Sequence, residues 1–387
     1  MKNIVDQAEH AALIKGGHDD RAAQDFAFTL RNHVTGELMP ANRTVFDQRV
    51  VPAYVRANGK RPETPAQVRT AMGADSWYKF YLSARRTSQE LIWSSVIPSV
   101  EAAGAPADTP PSAGGSLTLA SEDFIPPRYI SAIDIHCMPG GYCADRGPGD
   151  EAAGAVYDRG VYLYMSGLMG PMNDGVGHLA AGWLKGRLPD FAPANMLDLG
   201  CGVGHSMLAF AAAYPAMALH GLDCGAALLR YGHRRAESLG IPVHFQQGDA
   251  EHTAYADASF DLVTSHIVLH ETSTRALPAI LRECHRLLRP GGVMLHIDQP
   301  RFDDSDPYAT FLQENETYYN NEPFWRQYRR IDLEAAAVKA GFDSADIELD
   351  VLAAAVIQQS QNNEKVAATS AAAKKRGFSV LLARKPA

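Results

Sequence analysis

Over the first 100 or so residues, apolar positions fall three and four apart, as in RAAQDFAFTLRNHV and DSWYKFYLSARRTSQELIWSSV. That spacing predicts helices with one buried face. Pro62 and Pro65 separate the two stretches, as expected of a residue that lacks the N–H a helix interior needs. Residues 101–116, EAAGAPADTPPSAGGS, lose the period and collect Ala, Pro and Gly, which reads as a linker or long loop. RYISAIDIHCMPGGYCADRGPGDE, 128–151, reads as a possible strand and a Gly/Pro-rich turn, after which glycines interrupt helix-like pieces. From Ala194 the pattern becomes short apolar runs alternating with helical ones. Strands are expected at 195–200, 217–222, 260–265 and 292–297, with STRALPAILRECHRLLRP (273–290) as a helix. GFSVLLARK, 377–385, reads as a last strand, and NNEKVAATSAAAKKR before it as a hairpin connection or mobile loop. No internal repeat is visible.

Composition narrows the function classes. The chain has 387 residues, enough for two or three domains, and 46% hydrophobic residues, enough for a sizeable core. The formal net charge of -8 argues against long contacts with nucleic acid or an anionic membrane, where basic surface drives affinity. Five cysteines without a C-x-x-C pair make a disulfide framework a poor reading. The first residues carry charges throughout, and no window approaches the roughly 20 apolar residues of a spanning helix. These features lead to the expectation of a soluble cytoplasmic protein acting on a small molecule, with neither nucleic acid nor membrane as partner.

The chemistry is concentrated in MLDLGCGVGH, 196–205, where three glycines alternate directly after an apolar run. A strand, a glycine-rich turn and a helix form a ligand site at the carboxyl end of a parallel sheet. The dinucleotide pattern G-x-G-x-x-G fits Gly200 and Gly202, but position 205 is His and the third glycine comes early, at 204. Asp223, ending LHGLD, is spaced for a ribose contact with either kind of cofactor. Four later pieces follow in order: LHGLD itself, QQGDAE (246–251), FDLVTSHIVLHE (260–271) and LRECHRLLRPGGVMLHID (281–298). Together with DLGCGVG they resemble the motifs of class I S-adenosylmethionine-dependent methyltransferases. The resemblance covers roughly residues 190–300 and none of the first 190.

That resemblance implies an α/β fold, a mostly parallel seven-stranded sheet flanked by helices, here with an added mainly helical N-terminal domain. It divides the chain into a helical domain (1–100), a linker or long loop (101–127), a cap or connecting segment contributing to the active site (128–193) and a cofactor domain (194–387) with a substrate-binding insertion at about 301–330. It implies S-adenosyl-L-methionine as cofactor. Asp198 would orient the turn and meet the amino-acid part of the cofactor. Gly200, Gly202 and Gly204 would line it, Asp223 would bind the ribose hydroxyls, and Asp249 would approach the adenine amino group with Ala250 or Glu251 beside it. Cys224 flanks the ribose site and His266 stands near the cofactor at the end of the fourth strand. His205 begins a helix, where the dipole disfavours a cation, so it is read as a neutral hydrogen-bond donor.

The residues themselves suggest an acceptor side. In SHIVLHE, His270, and after it His266 and Glu271, are candidates for a base, needed only if the acceptor must lose a proton. A packed histidine is the competing reading for His270, and a metal site is not favoured because no third ligand follows by spacing. His136, Cys137 and Cys143 likewise lack a zinc pattern, and their segment reads as a tight turn with room for a lid or pocket wall. Tyr157, Arg159, Tyr162 and Tyr164 could reach the cofactor or acceptor, with Arg159 able to pair with a carboxylate. The 301–330 stretch, including Tyr318 and Trp325, is either a packed helical lid or a pocket of aromatic faces and carboxylates. The N-terminal aromatic helices suit either a homodimer interface or a cover over the site. Methyl transfer by in-line displacement is the expected reaction. A cyclase or other non-methylating use of the cofactor, or a non-catalytic cofactor-binding scaffold, is the alternative.

Overall fold

The computed structural model describes residues 6–104, 110–300, 306–352 and 377–386. The segment NNEKVAATSAAAKKR lies outside them. Among the described residues the strands, in chain order, are β1 (Ser116–Thr118), β2 (Asn195–Leu199), β3 (Ala218–Asp223), β4 (Val243–Gln247), β5 (Phe260–His266), β6 (Leu288–Asp298), β7 (Ile347–Leu352) and β8 (Phe378–Arg384). They form one sheet in the order β1-β4-β3-β2-β5-β6-β8-β7. All neighbours are parallel except where β8 runs antiparallel to β6 and β7. The order reverses direction at β2, and β2 carries the glycine turn at its end, the place where open α/β sheets bind ligands.

Alternation along the central strands explains both cores. Met196 faces one side and Leu197 and Leu199 the other. On the first side, Val176, Leu184, Phe210 and Leu229, from the helices Gly175–Arg187, Met207–Ala213 and Ala226–Ser238, cover Met196, Leu219 and Leu295. On the second, Leu277, Ile280 and Leu281 of Ala276–Leu287 and Leu333 and Ala337 of Leu333–Ala340 cover Leu197, Val263 and Met294. The backbone N–H groups of Ala194 and Asn195 both donate to Asp261, which pins the start of β2 to β5.

Among the described N-terminal residues, 18–103 are mainly helical, as the spacing predicts. His18 to Asn58 runs without leaving helical geometry, through two π-type turns, Val34–Leu38 and Phe46–Val50, each just ahead of a proline (Pro40, Pro52). Wider turns there accommodate residues that cannot donate an N–H. Gly59, at φ +77°, ends the run. Pro65–Gly73 and Ser76–Ala103 follow. This layer packs on its own chain in two places. Val34, Phe46, Met72 and Tyr78 bury Tyr308 and Phe311 of the 301–330 stretch. Ile92, Trp93 and Val96 join Leu163, Val203 and Leu228 of the α/β part.

Two local expectations need correction. The possible strand in 128–151 is a helical turn, Arg128–Ser131, and a 3₁₀ turn, Ile135–Cys137, with His136 and Cys137 at positive φ. The reason is long-range: Trp93 Nε1 and Gln89 Nε2 both donate to the His136 carbonyl, at 2.7 and 2.9 Å, so that carbonyl serves the N-terminal layer instead of a sheet. Conversely, Ser116–Thr118, inside the expected loop, adds an edge strand beside β4. The Glu237 carboxylate holds its approach by accepting the N–H groups of Ala113 and Gly115.

Candidate active site

The ends of β2 to β5 open into a cavity of about 430 Å³. Gly200 and Gly202 form part of its floor, at φ +66° and +54°, which L side chains resist. A Cβ at Gly200 would also stand 2.9 Å from Val268, whereas one at Gly202 would meet only the Tyr157 ring at 3.5 Å. Gly204 does not line the cavity; it packs on Phe245, so close approach within the core and its positive φ account for that glycine. Asp223, Cys224, Asp249 and Ala250 all line the cavity. The Asp223 carboxylate accepts the N–H of Gly202 at 2.9 Å and of Gly225 at 2.8 Å. Burial raises its pKa against the opposing pull of those bonds.

Asp198 sits one layer below, off the wall, accepting from Thr264 Oγ1 at 3.1 Å and lying 3.0 Å from His266 Nδ1. His266 reaches the wall, and its Nε2 is buried with no partner among the described residues. His205 also lines the cavity, with Nε2 2.7 Å from Asp158. Burial lowers the His205 pKa, in keeping with a neutral ring that donates to this carboxylate. Asp158, on the helix Ala152–Tyr164, is fully buried and was not singled out by any motif. It meets His10 at 3.0 Å and accepts from Tyr231 Oη at 2.7 Å and Gln7 Nε2 at 3.1 Å. Its pKa falls well below the usual carboxylate range: burial acts the other way, but Arg235, His10 and His205 outweigh it.

The other wall comes from distant segments. His136 stands between two carboxylates, with Nε2 3.0 Å from Glu271 and Nδ1 3.1 Å from Glu322. Burial opposes its protonation, yet Glu322 and Glu271 raise its pKa well above the ordinary value. Tyr142 Oη donates to Glu271 at 3.1 Å, and Asn320 Nδ2 donates to Glu322. His270 lies behind this group. Its Nδ1 is 2.7 Å from Asp298, its ring meets Trp325 edge-on at 5.0 Å, and it does not line the cavity. Its pKa is raised, because Asp298, Glu271 and Glu322 together outweigh burial.

With this geometry in view, the sequence comparisons are direct. Residues 196–292 match the family model of a methyltransferase domain. The chain is 36% identical over 107 residues to the malonyl-[acyl-carrier protein] O-methyltransferase of Dechloromonas aromatica, covering 28% of this chain and 37% of that one. It is 32% identical over 123 residues to the ubiquinone biosynthesis O-methyltransferase of Pseudomonas aeruginosa, covering 32% and 50%. Over 152 residues it is 32% identical to an uncharacterized methyltransferase of Synechocystis, covering 38% and 66%. The matched segment, 196–292, is a methyltransferase domain of the class I S-adenosylmethionine-dependent kind. The chain spans only about a third of the length of the first two relatives, 37% and 35%.

Around this methyltransferase domain, the candidate residues divide by position. Gly200, Gly202, His205, Asp223, Cys224, Asp249, Ala250, His266 and Glu271 converge on one cavity, and Tyr157, Tyr164 and Trp325 join them. Arg159, Tyr162 and Tyr318 do not. The Arg159 side chain donates to Gln24 at 2.9 Å and lies over the Tyr162 ring, and Tyr318 is 57% exposed. The aromatic pocket expected of 301–330 reduces at the cavity to Trp325 together with Glu316 and Glu322, while Tyr308, Phe311 and Tyr328 are core.

Proposed function

We propose that the protein transfers the methyl group of S-adenosylmethionine to a small organic acceptor held in the cavity. The observation that carries this reading is continuity: one space touches both the Gly200–Gly202 turn and the wall of rings and carboxylates. The residues present fit the cofactor. Above Gly202 only the Tyr157 ring comes near, 3.5 Å from where a Cβ would stand, and Asp223 keeps lone pairs free beyond its two backbone bonds. Gly200, Gly202, Asp223, Asp249, Ala250 and His266 would hold it. When bound, the cofactor supplies a methyl group already activated on a sulfonium.

The chain's own contribution is positioning and exclusion of water. Tyr142, Tyr157, Tyr164 and Trp325 give an apolar, aromatic wall. His136, with its raised pKa, holds Glu271 and Glu322 in place through its two ring nitrogens. An acceptor that must shed a proton would pass it to Glu271 or Glu322, which line the cavity; Glu322 Oε2 is buried without a hydrogen bond among the described residues, 3.6 Å from His270 Nε2. His270 acts behind them, as a positioning residue on Asp298. Two of the relatives are O-methyltransferases by name, so oxygen is the first acceptor atom to test.

Isothermal titration with S-adenosylmethionine, S-adenosylhomocysteine and NAD tests the cofactor, and a labelled-methyl screen of small phenols, acids and amines tests the transfer. Micromolar binding of the first pair and label in one acceptor class are expected. Binding of NAD alone would overturn the reading. Tight cofactor binding with no transfer to any class would favour a non-catalytic scaffold.

A further inference from the structure

A series of ring contacts links the glycine turn to Arg31. His205 and Tyr157 lie 5.8 Å apart, Tyr157 and Tyr142 5.6 Å, Tyr142 and His136 6.4 Å, and His136 and Tyr164 5.3 Å. At its far end Arg31, from the helix His18–His33, lies over Tyr164 with its guanidinium carbon 4.7 Å from the ring centroid. Arg31 lines the same cavity.

The other charges near it are matched. Arg85 donates to Glu316 at 2.7 Å, His136 lies between Glu271 and Glu322, and His270 is on Asp298. Arg31 is 6% exposed, its guanidinium makes no ion pair or hydrogen bond among the described residues, and Nη1 is buried without a partner. An unpaired buried cation is costly, and the neighbouring Arg85 adds repulsion. Burial and Arg85 lower the Arg31 pKa to about 10 against the pull of Tyr164 and Glu316, which still leaves it charged at neutral pH. A protein that keeps such a group facing a cavity has a use for it there.

We propose that Arg31 selects an acceptor bearing a carboxylate, with the apolar body of that acid lying along the rings toward the turn. This rests on the methyl-transfer reading above. The planar fork of a guanidinium suits a carboxylate in bidentate geometry. One negative charge matches one free cation. A phosphate dianion would instead face Glu316 and Glu322 across the same cavity with its second charge unmet. The cofactor's own amino-acid carboxylate is the other source of this chemistry, and the affinity of the Arg31 variants for S-adenosylhomocysteine separates the two.

The test compares benzoate with benzamide, titrated into S-adenosylhomocysteine-loaded wild type, Arg31→Met and Arg31→Lys, with melting temperatures of the ligand-free proteins. In the wild type, benzoate is expected to bind about tenfold or more tighter than benzamide. Arg31→Met loses that preference, binds S-adenosylhomocysteine within about twofold of wild type, and melts at the same or a higher temperature because it removes an unpaired charge. Arg31→Lys keeps part of the preference. A fall in S-adenosylhomocysteine affinity in Arg31→Met overturns the proposal in favour of the cofactor carboxylate. So does a wild type without carboxylate preference, or an Arg31→Met protein that melts far lower or fails to fold. Wild type that does not bind S-adenosylhomocysteine sinks the methyl-transfer reading instead, and the benzoate comparison in unloaded protein still judges Arg31.

Discussion

The two walls of the cavity are built on opposite plans. On the cofactor wall, charge is met by fixed donors: Asp223 by two backbone N–H groups, Asp198 by Thr264 and His266, Asp158 by Tyr231, Gln7 and two histidines. On the acceptor wall, buried polar atoms without a hydrogen-bond partner among the described residues are more numerous: Arg31 Nη1, Glu322 Oε2, His270 Nε2 and Asn320 Oδ1, of which Glu322 Oε2 and His270 Nε2 lie 3.6 Å apart, against His266 Nε2 and Asn173 Oδ1 on the cofactor side. A satisfied network rigidifies, whereas an unsatisfied one carries a cost that a ligand can relieve. The difference teaches where each wall puts its stability. The carboxylates of the first are met before anything binds, with His266 Nε2 left open, and the second leaves more groups for a ligand to meet.

The sharpest way to break the comparison is at Asp158. Asp158→Ala strands several buried donors, and a loss of about 3–5 kcal/mol is expected in urea unfolding. The pH dependence has a defined sign. The folded pKa is depressed, so this contribution is fully present above the unfolded value of about 3.9 and disappears as pH falls below it through the folded pKa. Asp158→Asn should therefore flatten the acid side of the stability profile. An Asp158→Ala protein within about 1 kcal/mol of wild type would mean the network is not a unit.

Next in size is Asp223. Hydrogen bonds to a charged group contribute about 1.5–3 kcal/mol, so Asp223→Ala should weaken S-adenosylhomocysteine binding by roughly tenfold to a hundredfold in calorimetry. The two backbone bonds add a consequence that the chain's motifs do not announce. The same change also frees the N–H groups of Gly202 and Gly225 and should lower the melting temperature. Unchanged affinity would remove Asp223 from the cofactor wall. A smaller effect separates the glycines. Gly200→Ala meets both a positive φ and Val268, while Gly202→Ala meets the φ alone, about 1–2 kcal/mol for the conformation itself. Unfolding should therefore rank Gly200→Ala as the more damaging, and equal losses would show that Val268 yields freely.

What was legible in the sequence follows the same division. The cofactor wall is made of strand ends with the turns directly after them, so its residues sit in short motifs that survive being read one after another. The acceptor wall is assembled from residues 31, 85, 136, 164, 271 and 322, and no local period marks such a set. Asp158 and Arg159 show the limit. Both lie in YDRG, and the sequence draws attention to the arginine. Successive helix positions point about 100° apart, so one turns inward to His205 and Tyr231 while the other lies outside against Gln24. The signal that could have found Asp158 was pairwise: a carboxylate amid apolar neighbours at helical spacing, and a histidine in the glycine turn needing an acceptor. In 301–330 the aromatics were plain, but which of them reach the cavity depends on the N-terminal helices that bury Tyr308 and Phe311.

The finest test of the comparison is Glu322→Gln, which touches only the acceptor wall. Glu322 is the largest contributor holding the His136 proton against burial, with Glu271 on the other ring nitrogen. Replacing one carboxylate by an amide keeps the shape and removes a charge, so the His136 pKa should fall toward its ordinary value of about 6.5 while the ring stays in place. For a raised folded pKa, the stabilisation is fully present below the unfolded value and is lost as pH rises through the folded one. The wild type should therefore keep this contribution into the alkaline range, whereas Glu322→Gln should lose it nearer neutrality. Imidazole resonances followed by NMR across that range read the shift directly, and cofactor affinity should not move because no cofactor-wall group is changed. A His136 titration identical in both proteins would mean that Glu271 alone sets its charge. The acceptor wall would then be paired more tightly than its leftover atoms indicate, and the contrast between the two walls would narrow.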